Sequence, residues 1–367
     1  MKNNQEGKQE LPENDHRRLG QKLDLFSFHD VAPGAPFWHP KGTTIFRELE
    51  RVIRKINGEN GYEEIQTPIL VKSGLFKTSG HWELYRELMF YFKNPRDKKE
   101  ELVVKPMNCP ESTFVYNSKI RSHRDLPLRL AELAPLHRNE PSGTLGGLLR
   151  VRRLTVDDAH IYCRPDQVEA EVKKLIKNTN DFYGLFDLKP NYYLATRPEK
   201  FLGARNEWDQ AEAALKMALD GLKIKYKVDA GEGAFYGPKI EVHLLDSQKR
   251  DWQMGTIQLD SVMLPKQFKV SYIDETGKKK VPYVIHRAIL GSFERFIGML
   301  LEHTAGSLPF WLSPVQVAAL SVTDEAQKYA AEVAGEIKKA GYRVILDDRN
   351  ETIGKKIREA EIQKIPY

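Results

Sequence analysis

Ile240-Glu241-Val242-His243-Leu244-Leu245 and, ten residues further on, Thr256-Ile257-Gln258-Leu259 read as strands that follow one another with no helix between them. Residues 102–104 and 268–272 read as further strands, whereas 167–183 and 207–219 carry helical spacing. The order lacks the regular strand–helix alternation of a doubly wound parallel sheet. The expected class is therefore α+β, a mainly antiparallel sheet flanked by helices. Asp274-Glu275-Thr276-Gly277 predicts a hairpin turn, and Lys278 to Lys280 a solvated tip.

Toward the amino terminus, Ile45, Phe46, Leu49, Val52, Ile53 and Ile56 predict an amphipathic helix over 43–56. Pro68 confines any strand in the 63–70 stretch to an edge, a common place for an interface. Residues 1–20 are polar and read as a flexible tail. Beyond Leu312-Ser313-Pro314 the texture changes to strand (315–322), helix (324–339), strand (342–346) and helix (351–363). That βαβα start is short for an independent core, so a small partial α/β domain over 313–367 is expected beside a large one over 21–312.

The chain has 367 residues, 41% hydrophobic and 29% charged, ordinary values for a folded globular protein. No apolar run is long enough to span a bilayer, and the amino terminus shows no export signal, so membrane insertion is not expected. Two cysteines, Cys109 and Cys163, suit a reducing, cytoplasmic setting and exclude a disulfide framework. A net charge of +6 over this length permits a polyanionic partner but does not require one.

Cys109, His160 and His286 are residue types that bind zinc, and three protein ligands would leave positions open for catalysis. Spacing does not separate this from three satisfied core residues, or from a local His160/Cys163 pair on a helix. Arg138, Glu140, Arg150, Arg152 and Arg153 bracket a Gly-bearing loop that could fold over a triphosphate or form a surface hairpin with ion pairs. No Walker lysine follows Gly146-Gly147. Residues 288–298 read as a helix carrying Arg295 among apolar neighbours, an arginine that needs a partner such as Glu294 or a bound phosphate.

Together these segments resemble a family. His137-Arg138-Asn139-Glu140 with Arg150 is similar to the second signature of class II aminoacyl-tRNA synthetases, and Gly291 with Glu294-Arg295 to the third. Residues 61–68 resemble the first, the dimer motif. KPMNCP (105–110), HRNEPSG (137–143), DDAH (157–160), WQMGTIQLD (252–260) and IHRAILG (285–291) together resemble the threonyl-tRNA synthetase family, in order and from about residue 18 onward.

The resemblance implies a threonine–tRNA ligase with one Zn²⁺ on Cys109, His160 and His286, taking the amino and hydroxyl groups of threonine. It implies that Asp158 anchors the hydroxyl and that Tyr236 orients the amino acid. By the same likeness Arg138 clamps the α-phosphate of Mg²⁺-bound ATP, Glu140 reads adenine, Arg150 touches the phosphates, and Arg295 holds the γ-phosphate. Lys239, Gln253 and Gln258 are expected to face the same pocket. His81 resembles the histidine that assists transfer to the tRNA(Thr) 3′ end, an exposed imidazole being the bland alternative. A homodimer is the implied assembly. A catalytically silent paralogue that binds RNA is the rival reading, and it would be expected to lack Arg138, Arg295 or a zinc ligand.

Two departures from the family pattern stand out. Glu111-Ser112 follow Asn-Cys-Pro where glycine and histidine are usual, and Gly146 replaces a bulkier residue. The chain as given carries no segment resembling an editing domain, and its anticodon-binding portion lacks the later strands, so weakened anticodon recognition is expected.

Overall fold

The computed structural model describes residues 11–246 and 249–367. Residues 1–10 of the expected tail lie outside the described part. The rest of that stretch is not a tail throughout, because Asp15 caps helix α1 (His16–Lys22), accepting from the Arg17 amide, and His16, Leu19 and Gly20 are buried. The chain forms two compact units. One holds the residues up to Leu49 with Gly147–Leu149 and Ile297–Tyr367, the other Glu50–Gly146 with Arg150–Phe296.

The second unit is built on an eight-stranded sheet. In chain order its strands are β1 (Glu63–Glu64), β2 (Leu128–His137), β3 (Arg153–Cys163), β4 (Asn191–Ala195), β5 (Tyr226–Asp229), β6 (Lys239–Leu245), β7 (Asp251–Asp260) and β8 (Tyr283–Ser292). Across the sheet the order is β5-β4-β6-β7-β8-β3-β2-β1. Every pairing is antiparallel except the two at the edges, β5 with β4 and β1 with β2. The mainly antiparallel expectation holds. The 63–70 stretch contributes only the edge strand β1 and, beyond Pro68, a segment Leu70–Lys72 of a separate three-stranded sheet.

The helix expected over 43–56 is longer, α2 (Pro40–Glu59). Beyond two five-residue helices at Gly74–Thr78 and His81–Tyr85, the longer helices of this unit are α3 (Cys109–Asn117), α4 (Val168–Gly184) and α5 (Arg205–Gly221). Helix α4 lies on the sheet with Val172, Leu175, Ile176, Phe182 and Tyr183 inward, and the Tyr183 hydroxyl donates to the Ile289 carbonyl at 2.9 Å.

Two local expectations fail, and one alternative is excluded. Residues 288–298 are not one helix, because β8 runs to Ser292 and only then does α6 (Phe293–Thr304) begin. A strand buried on both faces is a continuous apolar run, which periodicity alone does not tell from a helix. The change occurs at Gly291, whose φ of +82° and position 2.1 Å (as a built Cβ) from the Met254 carbonyl exclude a side chain. Residues 268–272 are mostly not a strand either. Met263–Gln267 forms a π-helical turn, and only Tyr272–Ile273 pairs, with Lys279–Lys280, across the expected hairpin. Finally, His160 and Cys163 share strand β3 rather than a helix, and three residues along a strand is an odd step that sends the two side chains to opposite faces.

In the first unit, β9 (Val317–Leu320) and β10 (Val344–Asp347) pair in parallel. Helices α7 (Gln327–Lys339) and α8 (Ile353–Ile362) complete the expected βαβα order. Arg343 bonds Glu48 at 2.9 Å, and the Ala318 amide donates to the Tyr367 carbonyl at 2.7 Å.

Candidate active site

Strand register assembles the site. Lys239 lies opposite Gln258, Gln258 opposite His286, and His286 opposite His160. Because cross-strand partners project to the same face, these four side chains form one row across β6, β7, β8 and β3. Two residues along, Glu241, Thr256, Ala288, Asp158 and Glu132 form a second row on that face.

Simple alternation would send Gln253, five residues before Gln258, to the other face. The register instead passes from Val242↔Gly255 to His243↔Gln253, so Met254 is the extra residue of a β-bulge. The bulge returns Gln253 to the parity of the site row. The row borders a cleft of about 520 Å³ whose lining includes His81, Cys109, Arg138, Asp158, Tyr236, Lys239, Gln258 and His286.

Cys109 reaches this face from the first turn of α3, where unpaired helix amides favour an anion. Its sulfur and one nitrogen each of His160 and His286 lie within 4.8 Å of one another. A tetrahedral ion with bonds of about 2.0–2.3 Å fits such a group. His160 Nε2 and His286 Nδ1 are buried without a hydrogen-bond partner, which leaves both nitrogens available to a metal. The other His286 nitrogen faces Asp260 Oδ2 at 3.4 Å, and Asp260 is itself held by the amides of Val262, Met263 and Leu264. Such a carboxylate fixes which imidazole nitrogen is left for a metal. Burial pushes the Cys109 thiol well above its usual range, and the Asp158 carboxylate adds to this. Burial likewise holds His160 well below the usual histidine range, with the His286 and Arg287 charges adding to it. A neutral imidazole is the form that ligates a cation. Residue types, convergence and unpaired donors thus all fit zinc.

Asp158 accepts from Asn108 Nδ2 at 3.2 Å, and burial raises its carboxyl to about 6. Tyr236 hydrogen-bonds the Gln258 amide, and its ring lies 5.1 Å from that of His286. Lys239 pairs with Glu241 at 2.6 Å. His81 is 3% exposed, bonded to Ser79 Oγ at 2.7 Å and set edge-on to Phe235, so it is not a surface imidazole. Burial, then the charges of His286 and Arg138, push it down to about 3.

The arginines gather beside this row. Arg138 follows β2 directly and donates to the Pro106 carbonyl at 3.2 Å. Arg295, in the first turn of α6, donates to the Gln253 carbonyl at 2.7 Å and lies over the Trp252 ring. Burial lowers Arg295 to about 10, and the neighbouring Arg150 and Arg138 add to this while Glu140 opposes it. Like charges held this close are a cost in the free protein that a bound polyanion would relieve. Glu294 binds Arg153 at 3.0 Å and the Thr155 amide at 2.9 Å, a role the sequence reading did not give it.

Three supporting groups escaped the sequence reading. Asp157 accepts the amides of Ile289, Leu290 and Gly291, which stabilises β8 where its pairing with β3 breaks. Lys105 is fully buried and bonds Glu132 Oε1 at 3.0 Å and Thr67 Oγ1 at 2.8 Å, which ties the KPMNCP segment to β2. Asn108 holds Asp158. All three lie inside or beside quoted motifs, but only the three-dimensional pairing shows what they hold.

Comparison with known proteins adds an independent line. The description "tRNA synthetase class II core domain (G, H, P, S and T)" matches residues 90–304, and "Anticodon binding domain" matches residues 315–367. A threonine–tRNA ligase of Symbiobacterium thermophilum is 50% identical over 359 residues, which cover 98% of this chain and 54% of that protein. The chain thus spans about half the length of the curated relatives it matches. A crystal structure described as the RNA binding domain of threonyl-tRNA synthetase from Cryptosporidium parvum superposes with a TM-score of 0.91 at 43% identity, covering 96% of this chain and 88% of that one. A prolyl-tRNA synthetase of the same organism, at 21% identity and TM-score 0.74, shares the fold. Among the described residues, no helix is long and apolar enough to cross a membrane.

Proposed function

Because the chain belongs to the threonyl-tRNA synthetase family of class II enzymes, we propose that it activates threonine with ATP and transfers it to tRNA(Thr). The observation that carries this is the row Lys239–Gln258–His286–His160, which ends on the convergent Cys109, His160 and His286 beside a cluster of phosphate-type arginines.

Zinc bound by Cys109, His160 and His286 would supply Lewis-acid positions that accept an amino group and a neighbouring hydroxyl. Asp158, held by Asn108, anchors the hydroxyl by accepting a hydrogen bond from it, and Tyr236, bonded to Gln258, orients the amino acid. Arg138, Arg150 and Arg295 neutralise charge as the threonine carboxylate attacks the α-phosphorus of Mg²⁺-ATP and pyrophosphate leaves. Glu140 reads the adenine, while Lys239 and Gln253 border the same face. His81, neutral and lining the cleft, would assist transfer by hydrogen-bonding the terminal ribose. Neither Arg138, Arg295 nor a zinc ligand is missing, so the silent-paralogue reading is not favoured.

We assign the catalytic domain to 21–312 and an anticodon-binding domain to 313–367, with the enzyme working in the cytoplasm as a homodimer through the 61–68 segment. Threonine-dependent ATP–pyrophosphate exchange tests the proposal. Serine, which keeps both ligand groups and loses one methyl worth about 1–3 kcal/mol, should react at roughly the per-cent level, and valine far less. Zinc-replete protein without threonine-dependent exchange would overturn the reading, and equal use of valine would remove the role given to the hydroxyl.

A further inference from the structure

Outside the cleft, Asp15, His16 and Glu302 form a second group of metal-type donors, all buried. It does not suit a metal, because both ring nitrogens of His16 are committed. The Leu148 amide donates to Nε2 at 3.0 Å, so that nitrogen keeps its lone pair and the ring hydrogen sits on Nδ1. Nδ1 then donates to Glu302 Oε1 at 2.7 Å. Glu302 sets the tautomer, and the tautomer sets the bond to Leu148.

The surroundings leave little freedom. Gly147 has φ +57°, and a Cβ there would lie 2.2 Å from His16 Nε2. Gly298, one turn before Glu302 on α6, admits Leu148 and Leu149, since a Cβ at 298 would meet their side chains at 3.2 and 3.1 Å. Asp15 caps α1 and pairs with Arg17 at 2.7 Å, which fixes the helix that presents His16. The residue that follows this pinned Gly147–Leu149 segment is Arg150.

We propose that His16, oriented by Glu302, is a positioning residue that locks the returning limb of the arginine loop and so sets where Arg150 meets ATP. The role of Arg150 rests on the function proposed above, whereas the lock itself does not. It is a contact made by the chain's own backbone, needs no ligand, and joins the loop limb to α6 at Glu302.

The test uses the full chain with His16→Ala and His16→Gln. A glutamine amide carries one acceptor and one donor, as the neutral imidazole does, so His16→Gln should restore what His16→Ala loses. Hydrogen exchange of the Leu148 amide should quicken at least tenfold in His16→Ala, and the KM for ATP should rise fivefold or more while that for threonine stays within twofold. Unchanged exchange at Leu148 overturns the lock. Faster exchange with an unchanged KM for ATP, or an equal rise in both KM values, overturns the positioning role and leaves a merely structural histidine. Wild-type protein without threonine-dependent exchange would instead sink the proposed function, and the Leu148 amide would still decide the lock.

Discussion

Replacing Lys105 by methionine should destabilise the protein far more than its single lost ion pair suggests. The Lys105 side chain is 0% exposed and that of Glu132 4%, at 3.0 Å. Without the ammonium, the buried Glu132 carboxylate keeps, among the described residues, just the Thr67 amide at 2.7 Å and the Thr67 hydroxyl as hydrogen-bond donors. Leaving one partner of a buried pair uncompensated costs about 3–5 kcal/mol, roughly two to three and a half powers of ten in the unfolding equilibrium. The second substitution Glu132→Gln removes the stranded charge while its amide oxygen still accepts from Thr67, so the double variant should regain at least half of the loss. Urea unfolding followed by tryptophan fluorescence measures both. Lys72→Met is the control, because the Lys72–Glu100 pair has a lysine side chain 77% exposed and should leave the urea midpoint unmoved. A cost below about 1 kcal/mol for Lys105→Met, or a double variant no more stable than the single, would refute the reasoning.

Cys109→Ser and His160→Ala should each reduce bound zinc from one equivalent to a small fraction of one by elemental analysis, with far-ultraviolet circular dichroism retained; full zinc content in either would exclude that residue as a ligand. Tyr236→Phe removes the donor to the Gln258 amide oxygen and should raise the KM for threonine at constant KM for ATP, and an unchanged KM for threonine would remove the orienting role of Tyr236. Burial raises Glu294 to about 7, so its carboxyl favours the folded state when protonated, and that advantage is complete below its unfolded value and is lost as pH rises toward 7. Wild-type stability relative to Glu294→Gln should therefore fall by about 3 kcal/mol between pH 4 and 7.5 in urea titrations, and a flat difference would show the carboxylate is not held up. Gly291→Ala should fail to accumulate as soluble protein, since its Cβ would meet the Met254 carbonyl at 2.1 Å.

Much of the fold was legible because its signals are local. The βαβα order after residue 313, the hairpin at Asp274–Gly277 and the 43–56 part of helix α2 each follow from side-chain period and turn chemistry within a short window. The failures occurred where a local signal has two meanings. Ala288–Ile289–Leu290 is as apolar as a buried helix, and only its place between β7 and β3 makes it a strand. Asp15 and His16 sit in a polar stretch, and their burial arises from Leu148 and Glu302, which are more than a hundred residues away.

From the sequence alone came the residue types able to bind a metal and phosphates, and two of the strands that carry the site, β6 and β7. It could not show that Cys109, His160 and His286 meet, since no periodicity relates positions so far apart. Tertiary structure decided that. Cross-strand register placed His286 beside His160, the bulge at Met254 turned Gln253 to the same face, and helix α3 delivered Cys109 to it. The reason is physical: side-chain direction along one strand repeats every two residues, but which strands lie side by side is settled by burying a shared apolar face and satisfying every ladder hydrogen bond, a property of the whole chain.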